Sequence, residues 1–319
     1  MRLMHFLLMC AACATWGLNF VVTKWIIVGD GALAGYLGTP PMFAVAVRFT
    51  IAALILSPLL RPLPRDVPAV LFLGLVFGAA HFGFMHLGLV SATSSAAAIT
   101  IQLVAPFTAI LSVLLLGEKV GPPRIIGIVL AFLGVAVIAF DPGHTQLTLG
   151  LLLIAIAAGS AAWGSILVKQ LEPMGALRMQ AWLMLVSAPV LMILSALFET
   201  NQVEGLMSGG WRLAGAMVFV VGGVTIFAHT AYMWLLRRYE ASFIAPMTLM
   251  GPVWGVIFGV ALMGDPLTGR FLLGAALALM GVGIVAVRTG RRAAVMAGAP
   301  PIDPPEDPAT LEAGKAKPR

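Results

Sequence analysis

The chain has 319 residues, of which 60% are hydrophobic and only 10% charged, and its formal net charge is +6. A soluble domain carries about 25% charged residues, so this composition cannot cover a water-facing surface and excludes an ordinary soluble enzyme. Mean hydropathy is +1.01, the signature of a chain whose solvent is mostly lipid.

The apolar residues fall into blocks long enough to cross about 30 Å of hydrocarbon, which takes roughly 20 residues. Ten blocks are predicted: Met4–Ile27, Met42–Leu60, Pro68–Val90, Ser94–Leu116, Pro123–Phe140, Thr148–Lys169, Arg178–Phe198, Arg212–Leu235, Ala241–Met263 and Arg270–Arg288. Basic residues on the cytoplasmic side set orientation. With the N-terminus inside, twelve basic residues fall in cytoplasmic segments, including Arg61, Arg65, Arg124, Lys169, Arg178 and Arg238. Only Arg212 and Arg270 fall outside. Both termini are therefore expected in the cytoplasm of a bacterial inner-membrane protein. The net charge is a topology signal, and no nucleic-acid partner is expected.

In the first block, Cys10 and Cys13 form a Cys-x-x-Cys, but in lipid and without partner ligands it is read as packing rather than a metal or redox site. Trp16, Asn19 and Thr23 lie on one helical stripe, a wall that could line a cavity or simply pack. Lys24 and Arg48 (block two) are expected near the outer helix ends, where snorkelling to the interface is favoured over binding an anionic substrate.

Block three carries His81 and His86, five residues and about 140° apart on a helix, so they do not share a face as a metal pair must. No metal and no cofactor are expected. Block four carries Gln102 and Pro106. At about 1.5 Å per residue from the short turn at Ser91–Thr93, His81 and Gln102 reach similar mid-membrane depth on antiparallel neighbours. Polar groups at that depth face a cavity or a partner. Gly117-Glu118 then makes a corner before block five, whose Gly127, Ala131 and Gly134 permit close helix approach. That stripe could join the two halves of the chain or form a homodimer face.

The pattern then repeats. Trp16-Gly17, Gly117-Glu118, Gly127 and Gly134 return 147 residues later as Trp163-Gly164, Gly264-Asp265, Gly274 and Gly281. His229 and Thr248 repeat the arrangement of His81 and Gln102. Pro252 answers Pro106 at a spacing of 146, with Pro246 also in block nine. Such a period comes from internal repetition. Each copy holds five spans, an odd number, so the second enters the membrane from the opposite side. Two inverted five-helix repeats are typical of secondary transporters, and paired helix interruptions in the two halves point to the substrate site. The expected organisation is residues 1–141 for copy one, 148–288 for copy two, and a disordered cytoplasmic tail over 289–319. Glu118 and Asp265 are expected to complement the positive end of the helix that follows each.

All thirteen acidic residues lie in loops, at helix ends or in the tail. A proton-coupled pump for cationic drugs needs a carboxylate in the membrane, so that class is disfavoured. An intramembrane enzyme is disfavoured too, because no nucleophile–base or metal-ligand constellation is present.

Several strings resemble the drug/metabolite transporter superfamily and its EamA family of ten-helix carriers. They are Trp16-Gly17-Leu18-Asn19-Phe20-Val21-Val22-Thr23-Lys24, Arg48-Phe49, Gly117-Glu118-Lys119, Arg238-Tyr239-Glu240 with Ala245-Pro246, and Gly264-Asp265-Pro266-Leu267-Thr268-Gly269. The first and last are most similar to the branch that exports cysteine and O-acetylserine. Asp265 stands where that family usually has Glu. The resemblance implies a membrane carrier with a central cavity lined from both repeats and a small-molecule substrate moved by alternating access. Trp16, Asn19, His81, Gln102, Trp163, His229 and Thr248 are the residues expected to line the cavity, beside interruptions at Pro106, Pro246 and Pro252. Sugars, nucleotide-sugars and lipid-linked substrates remain open as alternatives to amino acids.

Overall fold

The structure, a computed structural model, describes residues 3–29, 36, 38–118, 120–140, 145–172, 174–236, 238–239, 244 and 246–296, with side chains omitted at 145–148 and beyond 287. The predicted linker at 141–144, the start of span nine at 241–243, Lys119, Arg237, Glu240 and Ala245 lie outside the described residues. All the regular structure described is helical. Ten transmembrane helices follow in order: α1 (Leu3–Val28), α2 (Pro41–Ile55), α3 (Val67–Ser91), α4 (Ser94–Leu116), α5 (Pro122–Ala139), α6 (Thr145–Gln170), α7 (Ala176–Phe198), α8 (Gln202–Leu236), α9 (Met250–Met263) and α10 (Gly269–Met296). Eight are long and apolar enough to span alone, whereas α2 and α9 are shorter. A 3₁₀ turn at Ser57–Leu60 prolongs α2, and a broken turn precedes α9.

The helix pairing makes the inverted repeat visible. The junctions of α1 with α9 and of α3 with α6 in one sense match those of α6 with α4 and of α8 with α1 in the other. The α2–α7 and α5–α10 pairs are each their own counterpart. Along α5–α10 the glycine stripes face each other. A Cβ on Gly134 would lie 2.3 Å from the Ala278 nitrogen, and one on Gly281 would lie 2.5 Å from the Gly127 carbonyl. The stripes therefore join the two halves of this chain.

The repeat also shows in the caps. α4 and α9 both end on a left-handed glycine, Gly117 (φ 65°) and Gly264 (φ 69°). The next N–H in each case reaches back to a carbonyl six residues upstream, Glu118 to Ser112 and Asp265 to Gly259, both at 3.2 Å. A side chain at such a glycine would strain the turn, which is why Gly recurs there.

Three elements differ from the sequence reading. The segment 202–209, expected as loop, is helical and continues across a kink at Gly210 (φ 49°, ψ −140°) into the spanning part of α8. The last helix runs to Met296 and takes in the first eight residues of the tail expected from 289, because Arg291, Arg292, Ala293 and Ala294 are good helix formers. Asp265 does not serve the helix that follows it. Thr268 caps α10, while the buried Asp265 carboxylate accepts the Ser95 N–H and hydroxyl, both at 2.7 Å, at the start of α4 in the other repeat. Glu199 does the same for α2, accepting from Met42 N and Phe43 N at 2.7 and 3.0 Å. Glu118 instead pairs with Arg124 at 3.7 Å.

Candidate substrate site

Both central helices that carry histidine lose α-geometry just before it. Gly74–Ala80 in α3 and Phe219–Ala228 in α8 are π-helical, and His81 and His229 follow directly. The wider π turn leaves carbonyls poorly used, and π segments often mark functional sites. Side chains take up the slack. His229 Nδ1 donates to the Val224 carbonyl at 2.7 Å, and Thr225 donates to that of Val220 at 3.1 Å. On the α3 side, Ser187 of α7 donates to the Gly74 carbonyl at 2.9 Å.

α4 and α9, which carry Pro106 and Pro252, break in register as well. In α4 a 3₁₀ turn covers Ile101–Leu103, and ahead of α9 a turn occupies Thr248 and Leu249. A proline ring crowds the carbonyl four residues before it and offers it no N–H. Those residues are Gln102 for Pro106 and Thr248 for Pro252. The expected polar residues are thus the points where the backbone yields, and both are half-buried.

Among the predicted residues, Trp16 and His229 come together. Trp16 of α1 packs edge-to-face on His229 at 5.6 Å and on Tyr232 at 5.5 Å, both of α8. Asn19, one turn further along α1, is buried and accepts the Thr23 hydroxyl at 3.3 Å. His81 is turned elsewhere: its Nδ1 donates to the Ala157 carbonyl of α6 at 2.9 Å, and its ring rests on Phe82.

Trp163 is apart from this group. It is 43% exposed and packs on Phe72, on a stripe with Leu149, Leu152 and Ile156 that repeats at helical spacing and is apolar throughout. Such a stripe faces lipid. Trp163 therefore occupies the repeat position of Trp16 without its surroundings.

Two cations contradict the snorkelling expectation. Lys24 turns inward, and its Nζ donates to the carbonyls of Leu89 (3.1 Å) and Ala92 at the end of α3, where the helix dipole favours positive charge. Arg48 is 4% exposed. It sits midway along the 15-residue α2, whose N-terminal end is roofed by Tyr36 and Thr39 on the Ile26 carbonyl. The guanidinium cannot reach the interface from there. Its Nη2 donates to Thr225 Oγ1 at 3.3 Å, and its carbon lies 5.8 Å from the Phe82 ring centre. Among the described residues, Nε and Nη1 are buried without a hydrogen-bond partner. An arginine at a helix centre costs about 3 kcal/mol even by insertion scales. Sequence reasoning missed Thr225 and Tyr232 and favoured the interface for Arg48; the signal against that was an arginine midway along an unusually short span.

Outside this cluster, an apolar groove of about 570 Å³ runs between α2 and α8 on their outer flank, lined by Val47, Ile51, Leu213 and Met217 among others.

Comparison with known proteins bears on this site. The EamA-like transporter family model matches residues 3–140 and again 148–287. The chain is 29% identical over 278 residues to a transporter of Archaeoglobus fulgidus, covering 85% of this chain and 94% of that one. It is 28% identical over 295 residues to an Escherichia coli protein named as a probable amino-acid metabolite efflux pump, covering 89% and 95%. A solved crystal structure shares the fold, with a TM-score of 0.55 at 19% identity over 92% of this chain and 99% of that chain. The chain belongs to the EamA-like transporter family and is a multi-pass membrane protein.

Proposed function

We propose that this EamA-like transporter exports small polar metabolites, amino acids or their derivatives of the cysteine and O-acetylserine type, by alternating access of its two repeats. The observation that carries this reading is the Trp16–His229–Tyr232 contact, where an aromatic and polar cluster sits on the junction of the two halves beside π-distorted backbone. Broken helices at such a junction are how carriers expose polar groups at mid-membrane. The name of the Escherichia coli relative supports the substrate class. The site comprises Trp16, Asn19, Tyr232 and His229, with the yielding backbone at Gln102 and Thr248 as its border. The protein resides in the bacterial inner membrane with both termini cytoplasmic.

The apolar groove between α2 and α8 supports a second reading, in which a lipid-linked substrate rests its chain there. Counterflow in proteoliposomes decides between them. Saturable movement of labelled cysteine, O-acetylserine or another amino acid, with and without a pH gradient, establishes the first. Movement of none of them by folded protein, with scrambling of labelled lipid instead, establishes the second.

A further inference from the structure

We propose that Arg48 is the anchor for the carboxylate of the transported molecule, with Thr225 as the residue that positions its guanidinium. This rests on the amino-acid reading above and names the group in the substrate that the protein grips.

Among the described residues, Arg48 lacks acceptors for most of its donors. Five N–H groups radiate from a guanidinium, and the three on Nε and Nη1 have no partner while being shut off from solvent. Only Nη2 is used, on a neutral hydroxyl. Among the described residues no acidic side chain completes the site: Asp66, Glu118, Glu172, Glu199, Glu204 and Asp265 all lie at helix ends or in the turns between helices. His86 and His229 lie close enough to feel the charge, but a neighbouring imidazole adds no negative charge. Leaving a buried charge unpaired is strongly unfavourable, and structure alone does not require one here. The matching junction of the other repeat shows this. There Ser187 of α7 meets the π segment of α3, and its hydroxyl serves both the Gly74 and Leu183 carbonyls. A hydroxyl suffices to join helix to π segment, so the arginine supplies something further: a planar fork of donors matched to a carboxylate.

The surroundings fit an amino acid. Thr225 and His229 are four residues apart on α8, about 6 Å along the axis. A carboxylate held at Arg48 therefore directs the rest of a small molecule towards Trp16, His229 and Tyr232. The ammonium group then meets aromatic faces, which attract cations, rather than an opposing carboxylate.

The test uses purified full-length protein and reads binding separately from transport. Thermal unfolding is followed with O-acetylserine, with its carboxamide, with acetate, and with vesicles containing phosphatidic acid, for wild type, R48Q, R48K and T225V. The expected result is stabilisation of wild type by O-acetylserine and by acetate but not by the carboxamide. R48Q loses it, and R48K and T225V weaken affinity about 10- to 100-fold, the worth of a charge-assisted contact. Should R48Q not fold, R48K and T225V carry the test. Equal stabilisation by acid and amide, or unchanged affinity in folded R48K and T225V, overturns the anchor. So does stabilisation by phosphatidic acid alone, which would assign Arg48 to a lipid headgroup. Amino-acid counterflow with wild-type KM in the variants removes the anchor and leaves the exporter standing. Acetate stabilisation that depends on Arg48, with no amino acid transported, keeps the anchor and removes the exporter.

Discussion

Asp265→Ala is expected to destabilise the protein by about 2 kcal/mol, and Gly259→Ala by a similar amount for the same reason. The Asp265 carboxylate accepts two hydrogen bonds of 2.7 Å from Ser95, and both residues are buried. Hydrogen bonds to a charged group contribute about 1.5–3 kcal/mol each in water-soluble proteins. Measured values in membrane proteins run lower, about 0.6 and up to about 1.7 kcal/mol, because the unfolded chain also finds partners. Two such bonds at a helix N-terminus, where negative charge is further favoured, give a total near 2 kcal/mol. Gly259 stands directly behind them: a Cβ there would lie 2.5 Å from Asp265 Oδ2 and 2.3 Å from Ser95 Oγ. Alanine at 259 must push the carboxylate off its donors.

The assay is reversible unfolding in mixed micelles, run as a double-mutant cycle. Because both changes break one contact, the double variant should cost little more than either alone, leaving a coupling of roughly 1–2 kcal/mol. Additive losses would show that Gly259 packs independently of the carboxylate. Wild-type stability in Asp265→Ala would refute the view that this cap joins the repeats.

Glu199→Ala removes the two N–H contacts at the start of α2 and should lower stability by about 1 kcal/mol, measured in the same micelles. Gly134→Ala and Gly281→Ala should each cost about 2 kcal/mol by overpacking α5 against α10. Gly159→Ala, with nothing within 4 Å of its Cβ, should gain about 0.5–1 kcal/mol from better helix propensity. Trp16→Leu should weaken substrate affinity up to about tenfold, the worth of its aromatic contacts, whereas Trp163→Leu should leave counterflow unchanged; equal losses from the two would contradict the outward placement of Trp163.

The ten spans, their inversion and the paired weak points were legible because each rests on a property local to the chain. Apolar length marks a span, an odd number of spans forces inversion, and a proline disturbs the residue four places before it wherever it stands. Gln102 and Thr248 were picked out by polarity and depth, and each stands four places before such a proline. The π segments left no comparable mark, since Gly74–Ala80 and Phe219–Ala228 are as apolar as the helices around them. The contacts that take up their loose backbone come from other spans or from within the turn, Ser187 on one side and Thr225 with Arg48 on the other.

Repeat symmetry transfers backbone and not environment, and that explains the misplaced residues. Gly117 and Gly264 take the same left-handed turn because the turn is backbone geometry alone. Glu118 and Asp265 leave those turns identically, yet one pairs with Arg124 while the other caps α4 across the repeat boundary. Trp16 and Trp163 diverge further, since α1 is enclosed by α8 and α9 while the corresponding face of α6 meets lipid. Arg48 is the extreme case, a charge placed where the other copy has a hydroxyl. A carrier needs two halves alike enough to exchange conformations, but its substrate is not symmetric. The residues that break the repeat in the buried interior are therefore where recognition has to be sought, and Arg48 leaves two of its guanidinium nitrogens without a partner among the described residues.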